Sequence, residues 1–111
     1  MRTSIFALAA TLLAATAQAA DRKLPSKFVG DWCGDNSNES AYRRGSCRDS
    51  EAGMTVRVNG FSAWESDCRV LSVTPASNGI YQAKFKCHGE GETWTKNHRM
   101  SLDNKGRLIM K

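Results

Sequence analysis

The stretch Cys68 to Cys87, CRVLSVTPASNGIYQAKFKC, carries the clearest structural signal in the chain. In its second half, from Tyr81 to Cys87, the odd positions are apolar and the even positions are polar, which is the period of a strand with one buried face. The Asn78-Gly79 pair in the middle is typical of a two-residue hairpin turn. The stretch is therefore predicted to be a β-hairpin with a cysteine at each foot.

The two cysteines at the feet share a face of this hairpin in either of two registers. A turn centred one residue before Asn78-Gly79 places Cys68 opposite Cys87, and a turn centred on Asn78-Gly79 places Val70 there. In both cases the Cα separation of about 5.5 Å that a disulfide prefers is within reach. The hairpin thus favours a bridge between its own ends.

The four cysteines predict two disulfides, because a signal peptide precedes them and exported proteins meet an oxidising compartment. We expect the pairs Cys33–Cys47 and Cys68–Cys87, and the first pair would close a loop of about 15 residues. A crossed pairing, such as Cys33 with Cys87, remains open because a closed barrel could bring those strands together.

The signal peptide comprises residues 1–19. Arg2 precedes the apolar run Ile5 to Ala17, and Ala17-Gln18-Ala19 is a small-x-small cleavage pattern. The run is too short to cross about 30 Å of hydrocarbon, so no membrane span is expected. We expect a periplasmic or secreted protein with a flexible arm at residues 20–27 and a single small β domain at residues 28–111.

Further short strands are predicted on both sides of the hairpin, and no helix is long enough to cover a sheet. They lie at Phe28 to Cys33, Met54 to Val58, Trp94 to Leu102 and Arg107 to Met110. After a turn or bulge at Asn59-Gly60, Phe61 to Glu65 resumes the second of these in extended form. The fold class is therefore all-β, an antiparallel meander of about six strands that forms a small barrel or a strongly curved sheet.

The segment Gly34 to Gly53 shows no strand or helix period and is rich in Gly, Asp, Asn, Ser and Arg, so we expect a long loop. It carries a basic cluster beside a tyrosine. The members are Tyr42, Arg43, Arg44 and Arg48. Because Arg and Tyr dominate binding hot spots, this cluster is the predicted partner-binding site; the alternative is a solvated charged loop.

The formal net charge is +5, of which one unit leaves with the signal peptide. This balance suits an envelope or secreted partner with an acidic surface, although exported proteins are often mildly basic for solubility alone. No basic stripe interleaved with aromatic residues is found, so nucleic acid is not an expected partner. We expect a monomer.

Catalytic and metal chemistry have little support in the sequence. No Gly-x-Ser-x-Gly elbow surrounds a serine, and oxidised cysteines cannot act as nucleophiles. The clustered potential ligands His88, Glu90, Glu92 and His98 lack the tight spacing of zinc sites. We expect no enzyme activity, no metal and no cofactor.

The segment Phe28-Val29-Gly30-Asp31-Trp32, with the late Gly106-Arg107-Leu108-Ile109, resembles the Gly-x-Trp entry of lipocalin-like small barrels. Among these the chain is most similar to bacterial periplasmic inhibitors of metalloproteases, which have a short N-terminal arm, a Gly-x-Trp first strand and one disulfide. The resemblance implies inhibition through the arm Ala20 to Leu24. The second expected disulfide departs from the pattern of that family.

Two functions are compatible with these features. The first is a protein-binding module, an inhibitor or an envelope accessory factor, that acts through the arm or the loop Gly34 to Gly53. The second is a carrier of a small apolar ligand in a cavity lined by Trp32, Trp64, Trp94 and Phe85. About eight strands are needed to enclose even one small ligand, so the expected six favour a filled core and the first function.

Overall fold

A computed structural model describes residues 22–47 and 52–111 of the chain, so the predicted signal peptide, Ala20 and Arg48 lie outside the described residues. The described residues form eight β-strands after a short 3-10 helix, Ser26–Phe28. The strands are β1 (Gly30–Asp35), β2 (Asn38–Arg44), β3 (Gly53–Arg57), β4 (Gly60–Ala63), β5 (Ser66–Ser77), β6 (Ile80–Gly89), β7 (Glu92–Leu102) and β8 (Leu108–Met110). None of the described helices could cross a membrane.

The strands close into an antiparallel barrel in the order β1-β2-β8-β7-β6-β5-β4-β3, with β3 pairing back onto β1. The predicted all-β barrel is therefore confirmed, with eight strands in place of about six. The turns β1–β2, β4–β5 and β6–β7 lie at one end of the barrel, which we call the β6–β7 end. The turns β3–β4 and β5–β6 lie at the other, the β5–β6 end.

Much of the predicted loop is folded, and this part of the prediction was wrong. β1 continues to Asp35, β2 begins at Asn38, and Gly53 opens β3. The Asp35 carboxylate accepts hydrogen bonds from the Ser37 backbone N–H (2.9 Å) and hydroxyl (2.7 Å), which hold the β1–β2 turn. β2 escaped prediction because its register against β1 shifts between Gly34 and Asp35, which breaks the period of two that identifies a strand.

The β5–β6 hairpin combines features of both predicted registers. Its turn is Asn78-Gly79, with Ser77 opposite Ile80. Two register shifts in β5, between Val70 and Ser72 and between Pro75 and Ser77, each insert one unpaired residue. Together they move the pairing by two residues, so Cys68 rather than Val70 lies opposite Cys87.

The same shifts decide which side chains of β5 enter the core. Strict alternation from Cys68 and Val70 places Val73 on the opposite face, and the sequence therefore predicted a strand that is apolar on both faces. The extra residue between Val70 and Ser72 returns Val73 to the interior, where all three side chains are buried. On β6, the predicted inward face is confirmed for Ala83, Phe85 and Cys87.

Large apolar side chains fill the barrel. Fully buried members include Trp32, Phe28, Phe85, Met100 and Leu108. The Trp32 indole N–H donates to the Phe28 carbonyl oxygen at 2.9 Å, which satisfies its one polar atom and ties the 3-10 helix to β1. Phe61 and Phe85 pack edge to face with ring centroids 4.9 Å apart.

Both predicted disulfides are present. Cys33 pairs with Cys47 across a Cα distance of 5.8 Å, and Cys68 pairs with Cys87 across 4.0 Å. The first fastens the segment after β2 to the outer side of β1, and the second locks the foot of the β5–β6 hairpin inside the core. Such bonds are typical of an oxidising, extracellular-type environment.

An ionic network joins the β1–β2 and β7–β8 turns. Arg107 contacts Asp35 at 2.9 Å and Asp103 at 2.7 Å, and all three side chains are at most one quarter exposed. Hydrogen bonds from Ser37, followed by Arg107, hold the pKa of Asp35 well below its usual range. The Arg107 backbone N–H and guanidinium lower the pKa of Asp103 in the same way.

Removal of the inner disulfide by Cys68→Ala/Cys87→Ala is expected to lower the free energy of unfolding by about 3 kcal/mol or more, since its cysteines are 19 positions apart and both are buried. Denaturant unfolding measures the loss. The control is Cys33→Ser/Cys47→Ser. It opens a loop of similar length, so the loss of loop-closure entropy is similar, but its cysteines are only partly buried. A loss for the inner pair no greater than for this control would contradict a contribution from core packing.

Arg107→Ala is expected to lower the melting temperature at neutral pH by several degrees. Because folding lowers the pKa of Asp35 and Asp103, their ionised forms stabilise the protein above the unfolded carboxyl pKa of about 4, and this contribution is lost as the pH falls below it. The difference between wild type and variant should therefore narrow toward about pH 2. Thermal unfolding followed by circular dichroism tests this.

The matched control is Arg57→Ala, which removes the ion pair with Asp67. Its partners are more exposed, at 41% and 60% of their side-chain area, so the cost at neutral pH should be smaller. Equal effects of the two substitutions would show that burial of the Arg107 network contributes nothing.

Candidate functional site

The predicted partner-binding residues are strand residues, and they face different sides of the barrel wall. On β2, Arg43 lies opposite Cys33 and is exposed on the outer face. Tyr42 is partly buried and packs against the core. Arg44 lies opposite Trp32, and Arg48 is outside the described residues. The structure therefore does not bring Tyr42, Arg43 and Arg44 together as one patch.

Arg44 has a structural role at the β5–β6 end of the barrel. Its guanidinium donates to the carbonyl oxygens of Val29 (3.0 Å) and Lys27 (2.9 Å). It also stacks over the Trp32 ring, 4.1 Å from the centroid. This arginine holds the segment before β1 in place and stacks on a core ring, whereas Arg43 makes neither contact; both side chains are exposed.

The described part of the predicted flexible arm, residues 22–27, also packs on the β5–β6 end. Leu24 is only 3% exposed, and its backbone N–H donates to the Val58 carbonyl oxygen at 2.7 Å. Lys27 donates to the Gly79 carbonyl oxygen at 3.2 Å. The arm is therefore fastened to the barrel at Leu24 and Lys27, and does not project from it there.

The potential metal ligands around the β6–β7 turn are not assembled. His88 is exposed and hydrogen-bonds Thr93 at 3.2 Å. His98 lies against the Phe61 and Phe85 rings, and burial lowers the pKa of its imidazole, so it is neutral at physiological pH. Across residues 22–47 and 52–111, no three His, Cys, Asp or Glu side chains are grouped to hold a metal ion.

The aromatic residues proposed to line a ligand cavity are also separated. Trp32 and Phe85 are fully buried parts of the packed core, whereas Trp64 is 50% and Trp94 is 38% exposed. The two exposed rings lie at the β6–β7 end, one in the β4–β5 turn and one on β7. These four side chains do not surround one cavity.

A concentration of positive charge lies on the outer side of β5, β6 and β7. We define the basic face as Arg69 of β5, Lys84 and Lys86 of β6, and Arg99 of β7. Each residue alternates with inward-facing neighbours and points outward, and within the described chain none of the four forms an ion pair. The nearest acid on these strands, Asp67, is engaged by Ser62 and Arg57.

The arrangement of the basic face is unfavourable in the isolated protein. Arg69 lies directly opposite Lys86, where side chains of neighbouring antiparallel strands are only about 5 Å apart at Cβ. Lys84 and Lys86 are two positions apart on one face, a separation of about 7 Å. Like charges in direct opposition are destabilising, and no described acidic residue compensates for them here.

The sequence alone identified two of the four residues of the basic face as outward-facing. The alternation in β6 identified Lys84 and Lys86 as outward-facing. Arg69 could not be assigned to the same patch, because its position opposite Lys86 depends on the two register shifts in β5. Arg99 joins the face through the β6–β7 register, in which it pairs with Gln82.

Comparison with protein-family models, with curated proteins and with solved structures found no match to this chain. The resemblance to lipocalin-like barrels therefore holds at the level of the architecture, a small closed antiparallel barrel. The specific resemblance to metalloprotease inhibitors has no support beyond the residues that suggested it.

Adjacent arginines on β2 provide a direct test of the assignment of Arg44. Arg44→Ala should lower the free energy of unfolding by about 1 to 2 kcal/mol, since it removes two hydrogen bonds and the stack on Trp32. Arg43→Ala, which removes the same charge from an exposed position, should change it by less than about 0.5 kcal/mol. Urea unfolding of both variants is the measurement, and similar losses would refute the structural role.

Proposed function

We propose that this chain is a protein-binding module of an oxidising compartment, exported to the periplasm or secreted, whose basic face docks onto an acidic surface of an envelope or secreted protein. The observation that carries the proposal is the opposition of Arg69 and Lys86 within a cluster of four cations, none of which forms an ion pair with a residue of the described ranges. A bound anionic surface would turn this repulsion into attraction.

A protein partner fits the surroundings of the basic face better than a nucleic acid or a membrane. The outward residues beside the basic face include four that are neutral and polar: Ser72, Gln82, Thr95 and Asn97. Aromatic side chains, which stack on bases, and exposed apolar anchors, which insert into lipid, are absent from this set. Hydroxyl and amide groups between cations are suited to a hydrogen-bonded protein interface.

Two alternatives receive less support. Inhibition through the N-terminal arm would need Leu24 free, whereas Leu24 is buried and hydrogen-bonded to Val58. A carrier of an apolar ligand would need an interior cavity, whereas Trp32 and Phe85 are part of the packed core. Binding on the outer face of the barrel requires neither release of the arm nor an interior cavity.

The test is capture of partners from an envelope extract on immobilised wild type and on Lys84→Glu/Lys86→Glu. The partner should be lost by at least roughly tenfold in the variant, and wild-type capture should weaken as salt shortens the Debye length below about 8 Å. The matched control is Arg43→Glu/Lys105→Glu, which reverses the same number of exposed charges elsewhere.

Equal loss in both double variants would show that net charge, and not the basic face, drives binding. Loss in the control alone would place the site at Arg43, as the sequence predicted. If the variant instead loses binding only to anionic vesicles or to DNA, the proposed protein partner is wrong.

A further inference from the structure

A second feature, distinct from the basic face, is an incomplete seam in the barrel wall beside β7. β6 pairs with β7 from Gly89 opposite Glu92 to Tyr81 opposite Met100. β8 pairs only with the C-terminal end of β7. Residues Met100 to Leu102 pair with β8, and Arg99 is hydrogen-bonded to Lys111. From Thr93 to His98, no described residue pairs with the other edge of β7.

The hydrogen bonds between Arg99 and Lys111 show in which direction the free backbone groups of β7 point. Arg99 donates to and accepts from Lys111, at 2.9 and 3.1 Å, so its N–H and C=O point away from β6. In a strand this direction repeats every second residue, and the same groups of Asn97, Thr95 and Thr93 therefore point into the seam. We call these three residues, Thr93, Thr95 and Asn97, the open edge; it extends about 14 Å.

Unpaired edges of this kind are usually protected by proline, by a bulge or by an inward-pointing charge. The open edge has neither proline nor a register shift. It does have Lys96, which alternates with the edge residues, faces the interior side and is exposed without an ion pair among the described residues. A cation there disfavours indiscriminate strand pairing and favours a strand that carries an acid at the opposing position.

The interior side of this edge also offers an apolar contact. A pocket of about 170 Å³ lies there, lined by Phe61, the Cys68–Cys87 disulfide, Trp94, Lys96 and His98. Trp94 and His98 are placed two residues before and two residues after Lys96, on the same face of β7. The inward side chains of an added strand would therefore lie near an aromatic ring, a cation and a neutral imidazole.

We infer that the open edge binds an extended acidic segment of a partner protein, which adds to β7 as an antiparallel strand in line with β8. The segment begins opposite Asn97, since Lys111 occupies the position opposite Arg99, and it carries an acidic residue opposite Lys96 and an apolar residue opposite Trp94. Backbone hydrogen bonds to Thr93, Thr95 and Asn97 supply affinity, and the inward side chains supply specificity. A second copy of the chain is disfavoured, because pairing two β7 edges brings the basic faces of both copies onto one sheet.

The probe is the C-terminally amidated peptide Thr-Glu-Thr-Val-Thr, with Lys in place of Glu as its charge control, titrated into the oxidised protein. The Glu peptide should bind at least about tenfold more tightly than the Lys peptide, and Lys96→Glu should reverse this order. Amide exchange at Thr93, Thr95 and Asn97 should slow on binding. Methylation of the amide of the central threonine, which faces the edge, should abolish binding, and methylation of the valine amide should not.

Thr95→Pro removes one N–H of the open edge without removing a bond to β6, and it should prevent binding, whereas Thr95→Ala should not. If the proline variant does not fold, the reversal by Lys96→Glu and the methylated peptides still test whether the open edge binds the peptide. Equal binding of the two peptides, or no change with Lys96→Glu, would overturn the inference. Concentration-dependent dimerisation that Thr95→Pro removes would assign the edge to a second copy instead.

This inference is separable from the proposed function. The variant Lys84→Glu/Lys86→Glu alters the basic face and should leave binding of the peptide nearly unchanged. The peptide places only neutral threonine side chains on the outer side of the barrel wall, and its acidic side chain lies on the inner side, beside Lys96. Loss of peptide binding in that variant would show that general attraction to cations, and not the edge, holds the peptide.

Discussion

The pairing of Cys68 with Cys87 across β5 and β6 is the constraint on which the rest of the barrel depends. These are the two longest neighbouring strands at one side of the core, and the disulfide fixes their register at the foot of the hairpin. A shift of one residue would turn every inward side chain outward. With the bond in place, Val70, Phe85 and Cys87 face the interior, and Phe85 can pack against Phe61 and His98.

The same register determines the outer surface. Two unpaired residues in β5 bring Arg69 opposite Lys86, and β7 then adds Arg99 to the face. β7 also extends past β8, which leaves the open edge and Lys96 next to the inner disulfide. The basic face thus lies on the outer side of β5, β6 and β7, and the open edge lies along the side of β7 that faces away from β6. Both proposed contacts are with anionic groups, and each uses a different chemical feature: side-chain charge in one case, free backbone hydrogen-bonding groups in the other.

Prediction from sequence succeeded where the signal was local. The inward face of β6 and both disulfides are confirmed, because alternation and cysteine spacing are readable along the chain. Prediction was wrong for β2, where an irregular register hides the period of two, so Arg44 was assigned to a loop although it stacks on Trp32. The packing of Leu24 against Val58 was missed for a related reason: nothing near Leu24 in the sequence identifies its distant partner.

The sequence by itself determined the class of fold and the outward position of Lys84 and Lys86, and it favoured the observed cysteine pairs, since these depend on periods and spacings within short segments. Only the tertiary structure decided which cations share a face and which edge stays open. Both depend on registers between strands and on where β8 ends against β7, and those are set by bulges and packing across the barrel. The candidate binding surfaces therefore arise from pairings between segments far apart in sequence, which no local pattern encodes.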